Sequence, residues 1–165
     1  MRWLLIHRVE VLIRGEHVDA VCAPFGESFP GHFPERPMVP GSFVLEALSQ
    51  AGTILLETSG GFARKAMPVI VDGAKFRRPV DPSAPMRVVM NCIRKSDADA
   101  LLSGTVSQDG VRCCTATVGF AFAPMAEFFG PDTLPNYQLV YRHWLTATRF
   151  EGFARSPREA LHGAP

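Results

Sequence analysis

At 165 residues, 47% apolar and 20% charged, the chain is long enough for one sizeable core and has a globular composition, not that of a disordered chain. A formal net charge of +1 gives no support to a bulk nucleic-acid or membrane-surface role. No stretch is apolar and long enough to span a membrane, and the short apolar run at Met1-Arg-Trp-Leu-Leu-Ile is not a signal peptide. The four cysteines, Cys22, Cys92, Cys113 and Cys114, show neither CxxC nor zinc-site spacing, which points to free thiols, no metal and a cytoplasmic protein.

Trp3 to Ile13 reads as a strand, Arg14-Gly15-Glu16 as a turn and His17 to Ala23 as a second strand. Pro24 to Gly41 holds five prolines and three glycines, so it is neither helix nor central strand. Phe25, Phe29 and Phe33 predict that this long loop is packed and ordered, and a loop of that kind is usually functional. Ser42 to Thr58 is apolar almost all round, the pattern of a helix buried at a domain centre, stopped by Ser59-Gly60-Gly61. Inside it Glu46 and Gln50 stand four apart, on one face. Strands follow at Met67–Val80, Met86–Arg94, Ala100–Ser107 and Val111–Phe122, with a hairpin turn at Gln108-Asp109-Gly110. Several strands around one buried helix predict an α+β architecture. The domain is expected to span 1–123. Residues 124–165 form a C-terminal extension, with an amphipathic aromatic helix over Asn136–Phe150 and a frayed tail beyond it.

The loop carries one histidine, His32, and runs straight into the helix that carries Glu46. A fixed imidazole beside a carboxylic acid is a general acid/base pair, and burial in an apolar helix is expected to favour the neutral acid at Glu46. Gly41, at the helix N-terminus, offers unpaired N–H groups and room for close approach. Arg64 to Lys95 holds eight basic residues against two acidic ones, either a solvated sheet face or a docking patch for an acidic partner.

Gly31-His-Phe-Pro-x-x-Pro-x-x-Pro-Gly41, then Glu46-Ala-x-x-Gln50-Ala-Gly52, resembles the signature of the hydroxyacyl-ACP dehydratases of the FabZ/FabA type. Val71-Asp-Gly-Ala-Lys-Phe-Arg-Arg-Pro-Val80 and Leu4-Leu-Ile-His-Arg-Val9 are further matches, and the resemblance covers roughly residues 2 to 122. His7 stands where that family usually has aspartate. The resemblance implies a hot-dog fold, a curled antiparallel sheet wrapped around the central helix. It also implies a homodimer whose active sites combine His32 of one subunit with Glu46 of the other. The implied reaction removes water from a 3-hydroxyacyl thioester to give the trans-2-enoyl thioester, with the acyl chain on the phosphopantetheine of an acyl carrier protein and no cofactor of the enzyme's own.

In that reaction His32 is the expected base and Glu46 the acid at the departing hydroxyl. Gly41 would receive the thioester oxygen. Gln50 would hold Glu46 or a water, Phe33 would line the site, and Lys75, Arg77 and Arg78 would receive the carrier or its phosphate. Glu46 rather than aspartate favours simple dehydration over double-bond isomerisation. A hot-dog thioesterase and a non-catalytic acyl-carrier binding subunit are the alternatives; neither needs the His32 loop in this form.

Overall fold

The computed structural model of the chain describes residues 4–162, so Trp3, the expected first residue of the first strand, lies outside the described range. The elements are β1 (Ile6–Ile13), β2 (His17–Cys22), α1 (Gly41–Ser59), β3 (Arg64–Phe76), β4 (Met86–Lys95), β5 (Asp99–Gln108), β6 (Val111–Pro124), α2 (Leu134–Trp144), β7 (Arg149–Glu151) and α3 (Pro157–His162). Single 3-10 turns stand at Gly26–Ser28 and Met125–Glu127. Among the described residues no helix is long and apolar enough to cross a membrane.

One seven-stranded sheet in the order β3-β6-β5-β4-β2-β1-β7 carries α1 on its concave face. Every neighbouring pair is antiparallel except β1–β7. The burial of β5 alternates residue by residue, as a strand with one face on a core must. Asp109 and Gly110 take positive φ, 50° and 75°, the requirement of a tight hairpin turn that follows the strand twist. Val44, Ala47, Leu48, Ala51, Ile54 and Leu55 of α1 are buried against the sheet. Gly52 lets the helix come so close that a Cβ there would sit 2.4 Å from the Phe120 ring. This is an α+β hot-dog fold.

The two ends of the sheet differ. The helix expected to reach Phe150 stops at Trp144, and the chain then lays Arg149–Glu151 alongside Val11–Ile13. The cause is the outer edge of β1, whose carbonyls need partners: Trp144 Nε1–H donates to Ile6 O at 2.6 Å and the Thr148 hydroxyl to Val9 O at 2.8 Å. Beyond Glu151, where the sequence pattern fades and fraying is expected, α3 forms instead and Leu161 is buried. Arg158 ties this segment down by donating to the carbonyls of Leu145 and Thr148. At the opposite end, β3 has no strand on its outer side among the described residues, and Val69, Ile70 and Val71 are exposed.

Candidate active site

The loop between β2 and α1 is ordered by its aromatics and by the strand exit beneath it. Phe29 is buried between Phe25 and Phe43, with ring centroids at 5.4 and 4.9 Å. The N–H groups of Phe25 and Gly26 donate to Pro82 O, and that of Val39 to Val80 O at 2.9 Å. On this base the chain turns sharply at His32-Phe33. Phe33 takes a left-handed φ of 62°, and Arg36 N and Met38 N donate back to the carbonyls of Phe33 and His32. His32 Nδ1 lies 3.0 Å from Met38 O. A carbonyl only accepts, so Nδ1 carries a proton, and the neutral tautomer that fits this contact has its lone pair on Nε2. The exposed Phe33 ring lies 4.8 Å from the imidazole.

Glu46 differs from expectation. Leu45 beside it is partly buried and Ala47 and Leu48 are buried, but Glu46 itself is exposed among the described residues. Its face of α1 looks along the open edge of β3, where Ser42, Leu45, Glu46 and Ser49 form a groove of about 350 Å³ with Pro68 to Val71. The described residues of the chain therefore leave this carboxyl open to solvent. Gln50 Nε2 donates to Glu46 Oε1 at 2.9 Å. Gln50 Oε1 in turn accepts from the N–H groups of Leu5 at 2.8 Å and Ile6 at 3.4 Å. The structure thus joins Gln50 to Glu46 and Phe33 to His32, while no hydrogen bond among the described residues joins His32 to Glu46.

Gly41 is the first residue of α1, after Pro40. A Cβ on it would lie 3.0 and 3.1 Å from two carbons of the Phe76 ring, so the backbone here is approached closely by an aromatic face. Phe76, itself half exposed, was not singled out by the sequence; its sign was an aromatic set among Lys75, Arg77 and Arg78. Those three cations are exposed and make no ion pair with a described residue. Arg77 and Arg78 are fixed through their backbone N–H groups on Cys113 O. Arg78 lines an open cavity of about 1300 Å³ below the His32 loop together with Phe29, Pro34 and Arg36, but also Glu27, Glu35 and Asp81.

Glu57, also missed, is the most buried carboxylate on α1, at 1% exposure. Its Oε1 accepts from Lys65 Nζ at 2.7 Å and Ala66 N at 3.0 Å; its Oε2 accepts from the hydroxyls of Tyr137 at 2.7 Å and Tyr141 at 2.5 Å. Burial first, and the Glu57 charge second, push both phenols well above their ordinary range. The signal was available: Glu57 stands seven residues after Gln50, two helical turns along the same stripe.

A long central helix packed in a curled sheet, antiparallel but for its last pair, defines a hot-dog domain, here with a His loop before the helix and a Glu-Gln pair near its start. Residues 4–117 match the FabA-like domain family. The 3-hydroxyacyl-[acyl-carrier-protein] dehydratase FabZ of Solibacter usitatus is 33% identical over 128 residues, 76% of this chain and 79% of the relative. FabZ of Oceanobacillus iheyensis is 34% identical over 125 residues, 72% and 87% of the two chains. Among solved structures, a Streptococcus mutans protein bound to acetyl CoA superposes with TM-score 0.61 at 13% identity, covering 75% of this chain and 94% of that one. The dehydratase heterocomplex ApeI:P of Xenorhabdus doucetiae gives TM-score 0.56 at 14% identity, covering 84% and 90%. At that identity the structural likenesses show the fold. The chain belongs to the FabA/FabZ-like 3-hydroxyacyl-ACP dehydratase family.

Proposed function

We propose that this chain is a (3R)-hydroxyacyl-[acyl carrier protein] dehydratase, a hydro-lyase of fatty-acid or related polyene or polyketide synthesis. The observation that carries the reading is the His32 Nδ1–Met38 O contact, which supports a neutral Nε2 poised as a base. Nε2 takes a proton from C2 of the 3-hydroxyacyl thioester. The C2 electron pair forms the C2=C3 double bond, and the C3–O bond breaks as Glu46 gives its proton to the departing hydroxyl. One thioester yields one trans-2-enoyl thioester and one water, and a proton returned from His32 to Glu46 resets the pair. The charge that gathers on the thioester oxygen meets the N-terminus of α1 at Gly41. Gln50 holds Glu46, and Phe33 lines the entry.

The enzyme works as a homodimer joined along β3, with His32 of the partner subunit facing Glu46. The unpartnered β3 edge and the groove that Glu46 shares with it support this, because the second subunit then covers a carboxyl that one subunit leaves in water. The acyl carrier protein docks at Lys75, Arg77 and Arg78, cations that no described carboxylate neutralises by an ion pair. We place the protein in the cytoplasm, as its four unbridged cysteines suit. A 3-hydroxyacyl-ACP incubated with wild type and His32→Ala tests the reading by mass spectrometry. Loss of 18 Da (about one water) from the acyl chain by wild type alone is expected; release of free acid would instead make the chain a thioesterase.

A further inference from the structure

Gln108 ends β5, just before the hairpin turn at Asp109 and Gly110, and in the sequence it reads only as part of that turn. In the fold it is buried, at 9% exposure, and its amide is fully used. Oε1 accepts from Asp81 N at 2.8 Å, and the two hydrogens of Nε2 go to Asp81 O at 2.8 Å and Ala84 O at 3.1 Å. Pro85 O lies 3.5 Å from the same nitrogen. The amide has one orientation here, because the N–H needs its oxygen and the carbonyls need its nitrogen. These bonds grip residues 80–85, in the link between β3 and β4. The ends of that link are fixed by backbone contacts, Arg78 N on Cys113 O and Met86 opposite Cys22. Between them, Gln108 is the one side chain from outside the segment that hydrogen-bonds it among the described residues. The other bonds that leave the segment run to the His32 loop: Val80 O accepts from Val39 N, and Pro82 O from Phe25 N and Gly26 N.

Asp81 N and Val80 O belong to one peptide unit, and Val39 N and Met38 O belong to another. Gln108 and His32 are therefore the two ends of one line of hydrogen bonds. His32 Nδ1 donates to Met38 O at 3.0 Å, Val39 N to Val80 O at 2.9 Å, and Asp81 N to Gln108 Oε1 at 2.8 Å. Every donor in the line points the same way, so each bond polarises the next. The effect at the far end is a stronger and better placed acceptor at Met38 O. That acceptor keeps the proton on Nδ1 and leaves Nε2 free to act as the base. Without the Gln108 end, Asp81 N loses its partner and the middle of the segment loses its grip on β5.

We propose that Gln108 is a positioning residue for His32, acting through the two peptide units that carry Asp81 N and Val39 N. The proposal rests on the dehydratase reading above. The full chain is tested as wild type and Gln108→Met, which keeps the length and the packing but removes the amide. Gln108→Asn, whose amide is one methylene too short to reach all three close partners, serves if Gln108→Met fails to fold. Either change is expected to lower kcat about 5- to 20-fold with KM within about twofold. The His32 ring, assigned by the signals missing from His32→Ala, is followed in the same proteins by carbon and nitrogen NMR at about pH 8, above the ordinary imidazole range. Wild type should show the Nδ1–H tautomer, and the variants a shift of those signals toward the Nε2–H form. A merely structural Gln108 would lower the melting temperature and leave the tautomer where it was. Unchanged kcat, a rise in KM alone, or a lowered kcat with the His32 signals unmoved overturns the proposal. If wild type dehydrates nothing, the dehydratase reading fails by itself. The tautomer measurement needs no turnover, so a shifted His32 signal then still supports the link to Gln108, and an unmoved one refutes it.

Discussion

His32, Glu46, Gln50 and Gly41 were legible as residues because each stands at a position that local chemistry already marks: a histidine in a proline-stiffened loop, two polar side chains in an apolar helix, a glycine at a helix start. What the sequence could not give is which aromatic comes to lie over Gly41. Phe76 is thirty-five residues away in the chain and reaches it only once β3 pairs with β6. That contact makes a prediction about Gly41→Ala. Alanine is the better helix former, and the Phe76 ring is a flexible side chain that can move a few tenths of an ångström, so thermal stability should hold or rise slightly. On the proposed mechanism activity should fall about 10-fold or more, because the added methyl would fill the space proposed for the thioester oxygen at the helix N-terminus. Pairing the change with Phe76→Leu separates the causes in steady-state kinetics. The loss should persist in the double variant; full activity of Gly41→Ala would remove the helix N-terminus from the mechanism.

Burial follows the hydrophobic period closely along β5 and above all along α1, whose apolar residues on nearly every side mark it as central. The C-terminal part was less legible for a physical reason. Its burial depends on partners supplied from far away, namely Glu57 and Lys65 for α2 and the free carbonyls of β1 for Trp144 and Thr148. Glu57 organises this docking, so Glu57→Gln, which removes the charge and one acceptor while leaving Lys65 and two phenols beside it, should cost about 3 kcal/mol. Urea denaturation should show it as an earlier midpoint at unchanged slope, and a change below experimental error would mean α2 is held by apolar contact alone. The same cluster predicts an alkaline limit. The Tyr137 and Tyr141 phenols are raised above their ordinary value of 10.0 in the folded chain, so on unfolding they release protons at a lower pH than when folded. Their contribution is intact below about pH 10 and is lost as pH rises above it. Urea midpoints measured from pH 8 to 11 should fall at the upper end, and should fall less in Tyr137→Phe.

For the whole molecule, the decisive feature is that, among the described residues, one edge of the sheet is covered and the other is not. β7, Trp144 and Thr148 close the β1 edge, while β3 presents exposed Val69, Ile70 and Val71 beside the groove that holds Glu46. An open, apolar edge is a template for another strand, and a two-fold pairing along β3 sets the same groove of each subunit against the other. Within one chain His32 and Glu46 serve different neighbours, Met38 and Gln50. If each site draws its histidine from one subunit and its glutamate from the other, two inactive proteins should repair each other. Mixing His32→Ala with Glu46→Gln and allowing subunits to exchange yields heterodimers in half of the population. One of the two sites in each then has both native residues, so about one quarter of wild-type activity should return. A site contained in a single chain gives no recovery at all under the same exchange, because every chain then carries one defect. Native mass spectrometry of the mixture establishes that heterodimers have formed, so silence with exchange complete would refute the shared site and leave the β3 edge to some other use.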